Sequence, residues 1–426
     1  MKTTEEQFGL SMKRAELLAP AGDDESLISA LDFGADAVYL GGKAFGMRAG
    51  AKNFDEEGLF RAVQTAHERG VRIYITCNTV PTNDEVEKFP EFITMAQNAG
   101  VDAVIAADVG VISMIKEFAP RLAIHASTQT GVTNYRTALE LYKMGVRRVV
   151  LAREVDLENI KMIRRNIPDD MEIETFVHGS MCVSFSGRCL ISEYLTGRNA
   201  NRGECAQPCR GNYYLMEEKR PGEFYKVFEN DEGSYILNAR DMCMIEHLDD
   251  VLDAGVYSLK IEGRAKSAYY SAVTTNAYRA ALDCVLEGKN PPKWVIDEVN
   301  KISHRPYCSG FFYGHPSDGS GSQDPTEITN GGQYFKDSGY IREFDFVATV
   351  DRCENGTMYL TQRNYFTLSD ELEILAPGRE PIKFAPELMY NADGEQIDIA
   401  RHAMSKLTIK TDIIVPPHSL LRKKIR

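Results

Sequence analysis

The sequence predicts an α/β chain: a (β/α)8 TIM-like barrel with a cysteine-rich insertion after strand seven, followed by a small antiparallel β-barrel domain. Three observations lead there. Eight short apolar runs alternate with amphipathic stretches, a glycine closes the stretch before five of those runs, and near residue 340 the pattern changes to short alternating segments separated by turns.

The eight runs are ELLA (16–19), AVYL (37–40), RIYITC (72–77), AVIA (103–106), LAIHA (122–126), RVVLA (148–152), IETFVH (173–178) and YSLKIEG (257–263). Small and β-branched residues bounded by helical stretches suit parallel strands buried on both faces. The glycines in FGADAVYL, ERGVRIYI, NAGVDAVI, KMGVRRVV and DAGVYSLK read as helix C-caps preceding the next strand. Eight runs fit a closed barrel better than an open sheet, and no GxGxxG follows the first strand as a dinucleotide fold would require.

The seventh and eighth runs lie far apart, so residues 180–250 form an insertion on the barrel's C-terminal face. The barrel then spans residues 1–308. The Gly-, Ser-, Asp- and Pro-dense stretch 309–334 reads as a linker, and 335–426 as the small β-barrel domain. Its segments are FDFVATVD, TMYLTQ, FTLSDELEIL, PIKFAPEL and SKLTIKTD, with turns at CENG and NADG.

Composition narrows the function. The chain has 426 residues, 43% of them hydrophobic and 26% charged, with a polar N-terminus and no membrane-spanning apolar run; a cytoplasmic protein with reduced thiols is expected. A net charge of −13 argues against nucleic-acid binding over the whole surface. The end differs: residues 401–426 hold seven Lys or Arg against Asp412 alone. That suits either a solubilising tail or a local docking patch for a polyanion.

Five of the nine cysteines crowd into one region, spaced Cys182-x6-Cys189-x15-Cys205-x3-Cys209 with Cys243 beyond. A chain of this size needs no disulfide staples, so the clustering points to metal or redox chemistry. Paired CxxC knuckles typical of structural zinc are missing, whereas iron–sulfur clusters accept looser spacing, one protein sulfur per iron. Zinc is the rival, and ordinary buried cysteines the bland alternative.

Polar residues recur at the ends of the predicted strands. Arg48 follows the second run, Asn78 the third, His125 and Gln129 lie in HASTQT, Arg153 ends the sixth, His178 the seventh, and Lys260, Glu262 and Arg264 the eighth. One such residue is commonly structural, but recurrence at one end of successive strands marks an active-site face. Arg48, Arg153 and Arg264 together suit a ligand with more than one carboxylate or phosphate. Neither HExxH nor GxSxG is present.

The stretches ELLAPAGDDESLISALDFGADAVYLGGKAFGMRAGAKNF, HASTQT, FVHGSMCVSFSGRCLIS, RGECAQPCR and LKIEGRAKSAYY resemble the family catalogued as peptidase U32 along nearly the whole chain. The family label implies a collagenase-like peptidase. Other members are oxygen-independent hydroxylation proteins with a [4Fe–4S] cluster, and this domain plan resembles the prephenate-dependent tRNA uridine hydroxylases. The resemblance implies 5-hydroxyuridine formation at the wobble position, with tRNA and the dicarboxylate prephenate as partners, a paralogous subunit as a further one, and no membrane. It implies Cys182, Cys189, Cys205 and Cys243 as cluster ligands, with Cys209 as the alternative. In that setting His125, His178 and Glu262 are the expected proton-handling residues, and Arg48, Asn78, Gln129, Arg153, Lys260 and Arg264 the expected substrate ligands. The cluster has either a catalytic or a purely structural role. A peptidase and a non-catalytic tRNA-binding partner are the alternative readings.

Overall fold

The computed structural model describes residues 15–47, 51–181, 189–208, 214–215, 225–226, 240–314 and 340–425. Arg48, Cys182, Cys209, residues 182–188, 209–213, 216–224 and 227–239 of the expected insertion and residues 315–334 of the expected linker lie outside that set.

Every apolar run forms a strand: β1 (Glu16–Pro20), β2 (Ala37–Gly41), β3 (Arg72–Cys77), β4 (Ala103–Ala106), β5 (Ala123–Ala126), β6 (Arg148–Val150), β7 (Glu172–Ser180) and β8 (Ser258–Ile261). Each pairs in parallel with the next, and β8 pairs with both β7 and β1, so the sheet closes into a barrel. The alternating helices are α1 (Asp24–Asp32), α2 (Glu56–His67), α3 (Phe89–Asn98), α4 (Val109–Phe118), α5 (Tyr135–Lys143), α6 (Leu157–Asn166), α7 (Leu248–Asp253) and α8 (Ala268–Leu286).

Local chemistry sets the helix ends. Asp55, Asp108, Asn134 and Asp156 accept the backbone N–H three residues on, satisfying a donor that the first turn leaves orphaned. The five glycines read as C-caps, Gly34, Gly70, Gly100, Gly145 and Gly255, all have φ between +71° and +100°.

The strand Asp241–Cys243, from the insertion, pairs antiparallel with the end of β7 and parallel with Tyr307–Cys308. Three residues with no alternating pattern gave no signal for it in the sequence.

The chain divides into two compact units: Met1–Asp24, Asp36–Ala265 and Arg305–Tyr340, which hold the barrel strands; and Glu25–Ala35, Lys266–His304 and Ile341–Arg426. In the second unit eight antiparallel strands follow the order Ile382–Phe384, Leu372–Leu375, Leu420–Lys424, Phe344–Glu354, Thr357–Gln362, Lys406–Lys410, Met389–Tyr390, Gln396–Ile397. Val347, Val350, Leu360, Ile374, Leu407 and Leu421 form its buried side, each worth roughly 1.5–3 kcal/mol. The expected turn at CENG is present, with Asn355 and Gly356 both at positive φ, as a tight hairpin requires.

Candidate active site

Strand side chains alternate faces, so every second residue of a barrel strand points inward. Tyr74 and Thr76 lie in β3, His125 in β5, Glu174, Phe176 and His178 in β7 and Lys260 in β8; Asn78, Ser127, Glu262 and Arg264 follow those strands, Gln129 sits in a short 3-10 turn after β5, and the β7–β8 register shifts at Ile261. The earlier of these residues fill the barrel and the later ones rim its C-terminal mouth.

The lower layers form an ionic floor. Arg148, 1% exposed, reaches Glu16 Oε1 at 2.6 Å, Glu174 Oε2 at 3.0 Å and Glu172 Oε2 at 2.7 Å. Glu16 also accepts from the hydroxyls of Tyr74 at 2.7 Å and Ser258 at 2.8 Å, and it faces Arg72 at 2.5 Å. Burial alone would raise the Glu16 carboxyl, but the charge and hydrogen bonds of Arg148, together with Arg72, hold it below its ordinary value. Lys260 belongs to this floor. Its Nζ donates to Glu174 Oε1 at 2.7 Å and lies 4.4 Å from the Tyr39 ring centre, so this expected substrate ligand is ion-paired inside the barrel.

His125 sits just above. Burial, reinforced by Arg148, Lys260 and Arg72, pushes its pKa well below the ordinary value, so the imidazole is neutral at pH 7. Its ring meets Tyr74 edge-on at 4.8 Å, and its buried Nδ1 has no hydrogen-bond partner, nor does the buried Oε1 of Gln129. Two orphaned polar atoms on one strand end are what a polar ligand could satisfy.

At the rim, Arg153 Nη1 donates to the Ser180 carbonyl at 2.6 Å and Nη2 lies 3.7 Å from Glu262 Oε2, while the guanidinium covers the Phe176 ring at 4.0 Å. The Glu262 N–H donates to the His178 carbonyl at 2.9 Å, tying the ends of β7 and β8 together. Arg264, only 3% exposed, donates from Nη1 to Thr76 Oγ1 at 2.9 Å and from Nη2 to the Met47 carbonyl. Asn78 Oδ1 accepts the Met47 N–H at 3.1 Å. Sequence reasoning found these rim residues, but it missed Glu16, Tyr74, Arg148 and Glu174 below them; an acid or base inside an apolar run was the available signal.

Of the expected cluster ligands, Cys189 and Cys205 are partly exposed and Cys243 is buried, none of them in a disulfide. Cys243 stands opposite His178 in the antiparallel register, at the barrel mouth. Cys205 Sγ accepts the Gln207 N–H at 3.3 Å, and Ala206 N–H donates to Ser192 Oγ at 3.0 Å, tying that loop to the helix after Cys189. Cysteine sulfurs, one already accepting an amide donor, are the donor chemistry an iron–sulfur group needs. Among the described residues no three His, Cys, Asp or Glu side chains gather at one point, and Cys182 and Cys209 lie outside that set.

Part of the basic end, by contrast, is built into the second unit rather than forming a tail. Leu420–Lys424 is an inner strand of the sheet of the second unit. Arg422 is fully buried, donating to Glu298 Oε2 at 2.8 Å and Glu373 Oε2 at 2.7 Å; Lys406 pairs with Asp351 at 2.9 Å and Lys423 with Asp370 at 3.4 Å. Arg401, Lys406, Lys410 and Lys424 are exposed, and Arg426 lies outside the described residues. No helix among the described residues is long and apolar enough to cross a membrane.

Comparison with known proteins gives two family matches: the description Peptidase family U32 fits residues 22–322, and Peptidase family U32 C-terminal domain fits residues 342–422. The chain is 33% identical over 96% of its length, and 95% of the relative's, to tRNA hydroxylation protein P1 of Bacillus subtilis. It is 34% identical to tRNA hydroxylation protein P of Escherichia coli, covering 91% of this chain and 92% of that one. A protein of Methanocaldococcus jannaschii named as an uncharacterized protease is 43% identical over 71% of this chain and 74% of its own.

Proposed function

The chain belongs to peptidase family U32, and on that premise we propose that it is an RNA-modifying enzyme that hydroxylates the wobble uridine of tRNA to 5-hydroxyuridine without oxygen. Prephenate is the hydroxyl source and a [4Fe–4S] cluster held by Cys182, Cys189, Cys205 and Cys243 is the cofactor. Two relatives named as tRNA hydroxylation proteins, each aligned over more than 90% of the chain, support the RNA reading. The observation that carries it is the pairing of Cys243 with His178, which brings a cysteine of the insertion to the rim where Arg153 and Glu262 meet.

The chain's own residues divide the work. Arg153, fixed from behind by the Ser180 carbonyl and Glu262, presents a cation suited to a carboxylate of the dicarboxylate cosubstrate. A uridine reaches the mouth only when turned out of its stack, and the orphaned His125 Nδ1 and Gln129 Oε1 are hydrogen-bonding positions for its polar edge. Because His125 is neutral and held so, it serves as a hydrogen-bonding group, and Glu262 and His178, whose backbones are joined at the rim, are the groups there that can hold or move a proton. When bound, the cluster supplies one-electron transfer.

Anaerobic incubation of the purified protein with unmodified tRNA and prephenate, followed by nucleoside mass spectrometry, tests this. Formation of 5-hydroxyuridine that requires prephenate is the expected result. Unaltered tRNA from protein with a full complement of iron would overturn it.

A further inference from the structure

The loop between β2 and α2 walls an open groove on the barrel unit, lined among others by Lys43, Phe45, Gly46, Asn53 and Phe92. Phe45 holds a left-handed backbone at φ +59°, a conformation non-glycine residues keep only when their surroundings enforce it. The enforcing contacts come from the barrel rim. The Phe45 carbonyl accepts from the Thr79 N–H at 3.2 Å and from its hydroxyl at 3.0 Å, and the Phe45 ring meets Phe89 edge-on at 5.2 Å. Two residues on, both backbone groups of Met47 are taken: its N–H by Asn78 Oδ1 and its carbonyl by Arg264 Nη2. The space is shaped for that guanidinium. A Cβ at Gly41 would stand 2.0 Å from Arg264 Nη1, and one at Gly46 would stand 3.0 Å from Thr76 Oγ1.

We propose that Asn78 and Arg264 are positioning residues: they clamp the backbone of Met47 and so hold residues 42–47 in the shape that walls the groove. Their influence on substrate passes through the loop. This departs from the sequence expectation, which made both of them substrate ligands. A charge-assisted bond from a buried guanidinium to a carbonyl is among the stronger contacts available to a loop, and its partner is backbone, so the loop's side chains need not be particular.

Hydrogen exchange of peptides covering residues 42–47 in the full-length protein tests the clamp. Asn78→Ala and Arg264→Ala are expected to speed exchange there about tenfold or more, with strands such as β4 unchanged. Asn78→Asp keeps an acceptor for the Met47 N–H and is expected to keep wild-type protection. Unchanged exchange in both alanine variants, or Asn78→Asp exchanging as fast as Asn78→Ala, overturns the proposal. If Arg264→Ala does not fold, Thr76→Val, which removes the acceptor of Nη1, takes its place: faster exchange at 42–47 supports the clamp and no change overturns it. A second readout rests on the tRNA reading above, whereas exchange does not. Asn78→Asp is expected to restore the uridine modification that Asn78→Ala loses; restored protection without restored modification would assign the amide to substrate instead.

Discussion

Replacing Arg148 with Met tests the ionic floor. Arg148 is 1% exposed and contacts three carboxylates, two of which, Glu16 and Glu174, are themselves 1% and 0% exposed. Removing one partner of a buried pair typically costs about 3–5 kcal/mol, because the remaining charge is left uncompensated. Here Glu174 keeps Lys260, and Glu16 keeps Tyr74, Ser258 and Arg72, so the loss belongs near about 3 kcal/mol. In a domain of this size that lowers Tm by roughly 6–12 °C. The pH dependence has a definite sign. In the wild type the depressed Glu16 carboxyl contributes stability above its ordinary value of 4.5, lost as pH falls through its folded pKa. Without Arg148, burial raises that carboxyl, the folded state binds the proton more tightly, and the variant's deficit shrinks between about pH 7 and about pH 5. Adding Glu16→Gln should recover part of the loss for the same reason. Thermal melting of the three proteins at both pH values is the assay. A deficit under about 1 kcal/mol, or one that grows on acidification, refutes the reasoning.

The remaining predictions concern other groups. Arg422→Ala strands Glu298 in the second unit and should cost about 3–5 kcal/mol by denaturant melting, a loss no surface cation would cause. The ring signals of His125 should not titrate between about pH 5.5 and 8 by NMR; a midpoint near the ordinary value of 6.5 contradicts its burial among cations. Cys243→Ala should purify anaerobically with little iron, while Cys308→Ala, whose thiol burial pushes up to about 11, should keep the wild-type content by iron analysis.

The barrel was legible because its signals are local: eight apolar runs, glycines at helix ends, and capping Asp and Asn residues each act over a few positions. The strand Leu420–Lys424 was not, because its three cations mask the alternation. The carboxylates that make Arg422 buriable, Glu298 and Glu373, lie 124 and 49 residues away. The ion pairing of Lys260 was hidden for a related reason, its partner Glu174 lying 86 residues earlier. The rim residues were found as strand-end polar groups, yet the grip of Asn78 and Arg264 on Met47 had no signature, since a backbone partner leaves no mark on residue type. For the cysteine region, what the fold adds is the place of Cys243 opposite His178.

Nucleoside mass spectrometry of tRNA from cells lacking this gene and its paralogues, complemented with the wild type or Cys182→Ala, tests the central claim most directly. The account predicts that 5-hydroxyuridine is absent without the gene, returns with the wild type and stays absent with Cys182→Ala. TRNA that carries 5-hydroxyuridine in the uncomplemented strain, or lacks it with the wild type restored, contradicts the account.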